Sequence, residues 1–202
     1  MAVELVLALD SSASMDKREF ELQIKGLALA FRDPGVLQAL ANLAPEGVAI
    51  AVTQWGGSGE ARVVIPFAHI RSARDAKAFG FRIGRLRRAF HATTTSIASA
   101  ISDGGAVLSE NDFRGARRVI DISGDGIDNG GLDLLAARDE ALAQGVTVNG
   151  LAIEAEDATL SDYYRDNVIV GADSFVERAN GFEDYARAIR EKLVRELRPL
   201  ES

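Results

Sequence analysis

No cysteine occurs among the 202 residues, which excludes a thiol nucleophile, a thiolate-bound zinc or iron–sulfur site and any disulfide framework. Histidine is almost as scarce: His69 and His91 are the only two, too few for a multi-histidine metal cage. No apolar run approaches the roughly eighteen residues that a transmembrane helix needs, so no membrane insertion is expected. The opening residues are not expected to be a secretory leader, which would start basic and end in a small-residue cleavage site. Met1-Ala2 leads at once into Val3-Glu4-Leu5-Val6-Leu7-Ala8-Leu9, which reads as the first strand of a fold. Positive charge is in deficit, with a formal net charge of -7, and bulk electrostatics therefore oppose a nucleic-acid or anionic-membrane partner. What is present is globular composition, 47% hydrophobic and 26% charged, in a length that suits one domain over residues 1–202.

Short apolar runs alternate with helical patterns, the signature of a parallel sheet wrapped by helices. Residues 3–9 and Val146–Ile153 are continuous apolar runs and predict central strands buried on both faces. Asp16, with Glu19 three residues on, predicts a capping box, and Phe20, Ile24, Leu27 and Phe31 follow at helical spacing. Asp33-Pro34-Gly35 closes that helix, and residues 36–43 add a short second piece. Val48–Trp55 and residues 62–67 flank a glycine-rich gap, predicting a hairpin whose second strand runs antiparallel at a sheet edge. Phe79, Ile83, Leu86 and Phe90 predict a helix that climbs back to the upper end of the sheet, and Ile97, Ile101 and Leu108 another. The strand 119–123 ends in Gly124-Asp125-Gly126, and a helix over 132–144 follows, with Asp128 or Asn129 as its cap. Residues 154–173 read as irregular apart from a short helix near 160–165, then a strand at 174–178 and a terminal helix striped by Phe182, Tyr185, Ile189, Leu193 and Leu197. The expected fold is α/β, doubly wound and Rossmann-like, with a mostly parallel sheet, one antiparallel edge strand and helices on both faces.

Ligands of such sheets sit beyond the carboxyl ends of the parallel strands. The first strand ends in Asp10-Ser11-Ser12-Ala13-Ser14, where Asp10, Ser12 and Ser14 alternate and a turn can aim three oxygens at one point. The serines could equally cap the next helix, although Asp16 already does so. Asp125 arrives at the same end of the sheet, in a Gly-Asp-Gly sequence that is also a common turn. Thr93-Thr94-Thr95 precedes a helix and could be only its cap. If the 79–90 helix climbs, the threonines reach the rim beside Asp10 and Asp125, and three oxygen-bearing loops converge. Hydroxyls and carboxylates are hard donors, suited to Mg²⁺, Mn²⁺ or Ca²⁺ rather than a soft metal.

This combination resembles the von Willebrand factor type A (vWA) family and its metal-ion-dependent adhesion site (MIDAS). The family's Asp-x-Ser-x-Ser motif is matched by Asp10, Ser12 and Ser14. Its threonine ahead of a helix, with a small residue five places on and an aliphatic one six places on, is matched by Thr95, Ala100 and Ile101, and less well by Thr94. Its Asp-Gly is matched by Asp125-Gly126, with Gly124 where a threonine usually stands. The likeness runs from Val3 to Leu197. Stretches 118–126 and Val146–Ile153, with Thr53-Gln54-Trp55 and Asp162-Tyr163-Tyr164, look like a bacterial set of single-domain vWA proteins of unknown function. Members commonly carry an export signal, which implies an extracytoplasmic home. The resemblance implies that Ser12, Ser14 and Thr95 bind an Mg²⁺-class ion directly, with Asp10 and Asp125 acting directly or through water. It further implies a protein partner whose Asp or Glu carboxylate completes the coordination: an adhesion or scaffold module, not an enzyme.

The other readings fare less well. Residues 125–131 follow a strand as a phosphate loop would, but carry two carboxylates and no P-loop lysine, and the EF-hand spacing fails. Asp10 lacks the second acid two places on that an aspartyl-phosphate enzyme pairs with it, and Ser12 or Ser14 lacks a well-placed base. A metal-assisted hydrolase using the same strand-end site is the alternative function, and it also needs a base. Asp121, inside a strand, is expected to bond a neighbouring loop. Arg82, Arg85, Arg87 and Arg88 read as a solvated helix face that would place a positive field near the rim. Trp55, Tyr163 and Tyr164 are expected to form a partner-binding rim, or else to pack under their own loops. The oligomeric state is left open.

Overall fold

Every residue of β1 (Val3–Asp10) and β2 (Val48–Trp55) is buried, as strands covered on both faces must be. The computed structural model describes residues 1–198; the last four residues of the expected domain, 199–202, lie outside the described residues. Four further strands are β3 (Ala61–Ile70), β4 (Arg117–Gly124), β5 (Val146–Ile153) and β6 (Val176–Ala179). Together they form a six-stranded sheet in the order β3-β2-β1-β4-β5-β6. All neighbours pair in parallel except β2 and β3, so the hairpin strand stands antiparallel at one edge. The helices are α1 (Lys17–Ala30), α2 (Pro34–Ala41), α3 (Ala73–Ile83), α4 (Ile97–Ser109), α5 (Leu134–Ala143), α6 (Leu160–Asn167) and α7 (Tyr185–Glu196). Among the described residues no helix is long and apolar enough to cross a membrane.

Side-chain alternation along β1 divides the core in two. Val3, Leu5, Leu7 and Leu9 join Phe20, Leu27, Phe79, Ile189 and Leu193 from α1, α3 and α7. Val6 and Ala8 point the other way, to Ile97, Ile101, Ala137, Leu160 and Tyr164 from α4, α5 and α6. This is the doubly wound α/β arrangement, Rossmann-like, with helices on both faces of the sheet.

Helix starts follow from local chemistry. Asp16 accepts from the Glu19 amide while the Glu19 carboxylate accepts from the Asp16 amide, completing the capping box of α1. Asp33, Ser72 and Ser96 cap α2, α3 and α4 through the side chain alone, accepting from amides of the first turn. The cap of α5 is Asp133, not Asp128 or Asn129; those two side chains are drawn instead to the start of α4.

Two further expectations are corrected. α3 ends at Ile83 with Gly84 as its cap, and residues 86–96 are neither helix nor strand. The climb to the upper rim is therefore made by an irregular strap. Gln54 holds it from β2, its Nε2 donating to the Arg87 carbonyl (3.1 Å) and its Oε1 accepting from the Ala89 amide (2.7 Å). Among the described residues Asp121 bonds no loop; its carboxylate faces Lys192 Nζ of α7 at 3.1 Å, with neither side chain exposed.

Candidate metal centre

The turn after β1 is shaped by its own polar side chains. Asp10 Oδ1 accepts from the Ser12 amide at 2.7 Å, and the Ser11 amide and hydroxyl both donate to the Trp55 carbonyl of β2, at 2.8 and 2.9 Å. Ser12 Oγ lies 3.1 Å from Ser14 Oγ, which in turn donates to Asp125 Oδ1 at 2.9 Å. Asp10, Ser12, Ser14 and Asp125 thus form one continuous polar chain across the ends of β1 and β4. Thr95 stands beside it: a β-carbon placed on Gly126 would lie 3.8 Å from Thr95 Oγ1. Asn129 fixes that neighbourhood, its side chain accepting from the Thr95 amide (2.7 Å) and its own amide donating to the Thr95 carbonyl (2.8 Å). Asp128 Oδ1 accepts from the Ala98 amide at 3.1 Å, in the first turn of α4. The five residues singled out in the sequence therefore lie together at the upper rim.

A second set of residues, invisible as a motif, holds this arrangement from behind. Arg88, on the strap, donates through Nε to the Ser11 carbonyl (3.1 Å), through Nη1 to the Met15 carbonyl (2.7 Å) and through Nη2 to the Ser12 carbonyl. Gln23 of α1 donates to the Asp10 carbonyl at 3.1 Å. The Ala13 amide donates to the Ala92 carbonyl at 2.7 Å, and the Ser96 amide to the Gly56 carbonyl at 2.8 Å. The clearest sequence signal for this neighbourhood is Gln54, an amide in a buried strand whose one other polar residue is Thr53. Arg88, expected with Arg82, Arg85 and Arg87 on a solvated helix face, is instead a brace of the loop.

Burial dominates the electrostatics. It pushes the Asp10 carboxyl up to about 7, helped by the charge of Asp125, and it raises Asp125 as well. Asp10 is fully buried, and its inner oxygen, Oδ2, has no hydrogen-bond partner among the described residues. A buried carboxylate oxygen without a donor, next to a second carboxylate, calls for a proton or a cation. Among the described residues no three Asp, Glu or His side chains make a metal cage. Hydroxyls complete the donor set instead, and two carboxylates with three hydroxyls suit a hard divalent ion.

Two of the three residues expected at a partner-binding rim, Trp55 and Tyr164, are in the core. Trp55 and Tyr164 are both 0% exposed and pack in the core between the sheet and α4, α5 and α6. β2 is covered on both faces, and Gly124 leaves room for both rings. Tyr163 is half-buried against its own surroundings, its hydroxyl accepting from the Asp128 amide at 3.2 Å. His91 is exposed, and exposed His69 pairs with the Glu46 carbonyl at 2.9 Å.

No curated protein matches the sequence. Among solved structures, proximal thread matrix protein 1 from the mussel byssus aligns over 96% of this chain and 47% of its own, at 14% identity and a TM-score of 0.69; it has also been solved with a zinc-occupied MIDAS motif. The vWF domain of the type V pili tip protein Mfa5 from Porphyromonas gingivalis aligns over 100% of this chain and 98% of its own, at 11% identity and a TM-score of 0.65. Manganese-loaded TRAP from Plasmodium vivax aligns over 98% and 74%, at 16% identity and a TM-score of 0.64. The chain spans less than half the length of the solved structures it matches first. At these identities the likeness establishes the vWA fold. Residues 1–201 match the family described as "Protein of unknown function (DUF1194)", and the chain, built on a vWA fold, belongs to that family.

Proposed function

We propose that this chain is a divalent-cation-dependent protein-binding module of adhesion or scaffold type. Asp10, Ser12, Ser14, Thr95 and Asp125 hold the cation, and an Asp or Glu carboxylate of a protein partner completes its coordination. The observation that carries this reading is the inner oxygen of Asp10, fully buried, without a donor, and next to the carboxylate of Asp125. Three of the five side chains are neutral hydroxyls, so a divalent ion bound there keeps enough positive character to attract one further carboxylate. That attraction is the chemistry the ion supplies. The protein's own part is to hold the oxygens in place through Asn129, Arg88 and Gln23.

Mg²⁺ is the expected ion, with Mn²⁺ or Ca²⁺ as substitutes. The zinc-occupied MIDAS motif of the mussel protein and the manganese-loaded state of TRAP support a divalent cation at this position of the fold. Pilus and byssus proteins among the structural relatives support an adhesive role and an extracytoplasmic home. A net charge of -7 speaks against nucleic acid.

Calorimetric titration of Mg²⁺ or Mn²⁺ into the full chain should show binding that Asp10→Ala and Asp125→Ala each abolish. A pull-down should recover a partner in Mg²⁺ and release it in chelator. Unchanged cation binding in both variants would overturn the site. Cation-dependent turnover of phosphoester or acyl substrates, lost in Asp10→Ala, would replace the binding module with a metal-assisted hydrolase.

A further inference from the structure

Two glycines clear a path across one face of the sheet, behind the candidate cation site. A β-carbon on Gly150 of β5 would lie 2.6 Å from Tyr164 Cδ1, and one on Gly124 at the end of β4 would lie 2.7 Å from Tyr164 Oη. Any larger residue at either place would strike the tyrosine ring or its hydroxyl. The phenol therefore crosses from α6 over β5 and β4 toward β1, along a path that both glycines keep clear. At its end the same point beside Gly124 is approached by Asp10 Oδ2, 3.1 Å from that position, and by Trp55 Cη2 at 3.3 Å.

Tyr164 is wholly buried, and neither its hydroxyl nor Asp10 Oδ2 has a hydrogen-bond partner among the described residues. One is a donor and the other an acceptor, and each is too deeply placed to be served by bulk water. The other Asp10 oxygen is already taken by the Ser12 amide. Gly124 is also the position where the sequence departs from the vWA pattern, and a hydroxyl from another element stands where a side chain there would begin.

We propose that Tyr164 is a positioning residue of the cation site: its hydroxyl, which bonds neither Asp10 nor any other described residue in this structure, donates to the inner oxygen of Asp10 once a cation is bound and thereby sets the direction in which that carboxylate faces the ion. The inference rests on the cation reading above. Carboxylates that ligate metals are themselves held by donors, and loss of such a donor weakens metal affinity. A neutral phenol orients Asp10 without adding charge to the site.

The test is Tyr164→Phe in the full chain, read in three ways. Mg²⁺ and Mn²⁺ affinities by calorimetry should fall about 10–100-fold. Trp55, the single tryptophan, borders the same point, so a cation titration followed by its fluorescence should report the same weakening. In chelator the variant should melt at the wild-type temperature or slightly above, because a buried hydroxyl without a partner has been removed, while the rise in melting temperature on adding Mg²⁺ should shrink. A purely structural tyrosine would reverse that pattern, with a lower melting temperature in chelator and unchanged cation affinity, and would overturn the proposal. Wild-type protein that binds Mg²⁺ alongside a variant that binds it equally well also overturns it, and leaves the cation reading standing. A wild-type protein with no response to either ion overturns both.

Discussion

Arg88 shows how far the loop after β1 depends on one side chain outside the motif. Its guanidinium spans three backbone carbonyls, those of Ser11, Ser12 and Met15, a task for a rigid planar fork of donors rather than a point charge. Removing it leaves partly buried carbonyls without donors and frees the turn that aims Ser12 and Ser14. Arg88→Ala is expected to cost about 2 kcal/mol, a fall of roughly 4–8 °C in melting temperature, and to weaken Mg²⁺ binding at least about tenfold through loss of preorganisation. Arg88→Lys should recover only part of either quantity, since an ammonium cannot reproduce the fork. Melting curves in chelator and a Mg²⁺ titration of both variants check this; wild-type behaviour in Arg88→Ala would remove the brace from the account.

Between elements, a buried ion cluster fastens α7 to the sheet. Lys192 Nζ reaches Glu196 Oε1 at 2.7 Å and Asp121 Oδ1 of β4 at 3.1 Å, and Asn149 of β5 donates to the same Glu196 oxygen at 2.8 Å. Burial opposes the lysine's charge, but Asp121 and Glu196 outweigh it and raise its pKa. Lys192→Met strands two carboxylates in the core and is expected to cost about 3–5 kcal/mol. Adding Asp121→Asn removes one of the stranded charges, so the double variant should melt above the single one. A double variant no more stable than Lys192→Met would show that packing, not charge, makes the junction. Asp121 was recognisable in the sequence as an oddity, but its partner lies 71 residues away on another element and no local pattern names it. The same contrast of near and far runs through the fold. The capping box, the apolar strands and the Asp-x-Ser-x-Ser turn are set by neighbours a few residues apart, and all were legible. The strap over residues 86–96 was not: its apolar residues keep helical spacing, while Gln54 and Arg88 hold it out of a helix through contacts remote in sequence. Trp55 misled for a related reason, since a strand-end aromatic before a glycine-rich loop reads as exposed until Gly124 and α4 are seen to make a place for it.

At the scale of the whole molecule, the buried carboxyls link stability to pH and to the cation. Burial, with the charge of Asp125, pushes Asp10 up to about 7. Burial also pushes Asp121 up to about 7 against the pull of Lys192, and raises Asp125 and Asp103. A carboxyl whose folded pKa exceeds its unfolded value of 3.8 stabilises the fold fully below that value and loses the contribution as pH climbs through the folded pKa. Asp75 and Asp157 are shifted down, chiefly by the hydroxyls of Ser72 and Thr159, but at the surface solvent screening keeps their opposing effect small. In chelator, then, the melting temperature should fall between about pH 5 and about pH 8. Mg²⁺ should restore most of the loss at the upper end, because an ion that binds only the folded state adds stability by mass action. A melting temperature in chelator that rises across this window would contradict the assignment. The position of β1 has a mechanical consequence. It lies in the middle of the sheet, paired along its length with eight residues of β2 on one side and seven of β4 on the other. Tension applied to the Ser12–Ser14 turn along the strand axis must slide two ladders of hydrogen bonds at once, where an edge strand would peel from a single neighbour one bond at a time. A tether gripping that turn therefore pulls against the interior of the sheet.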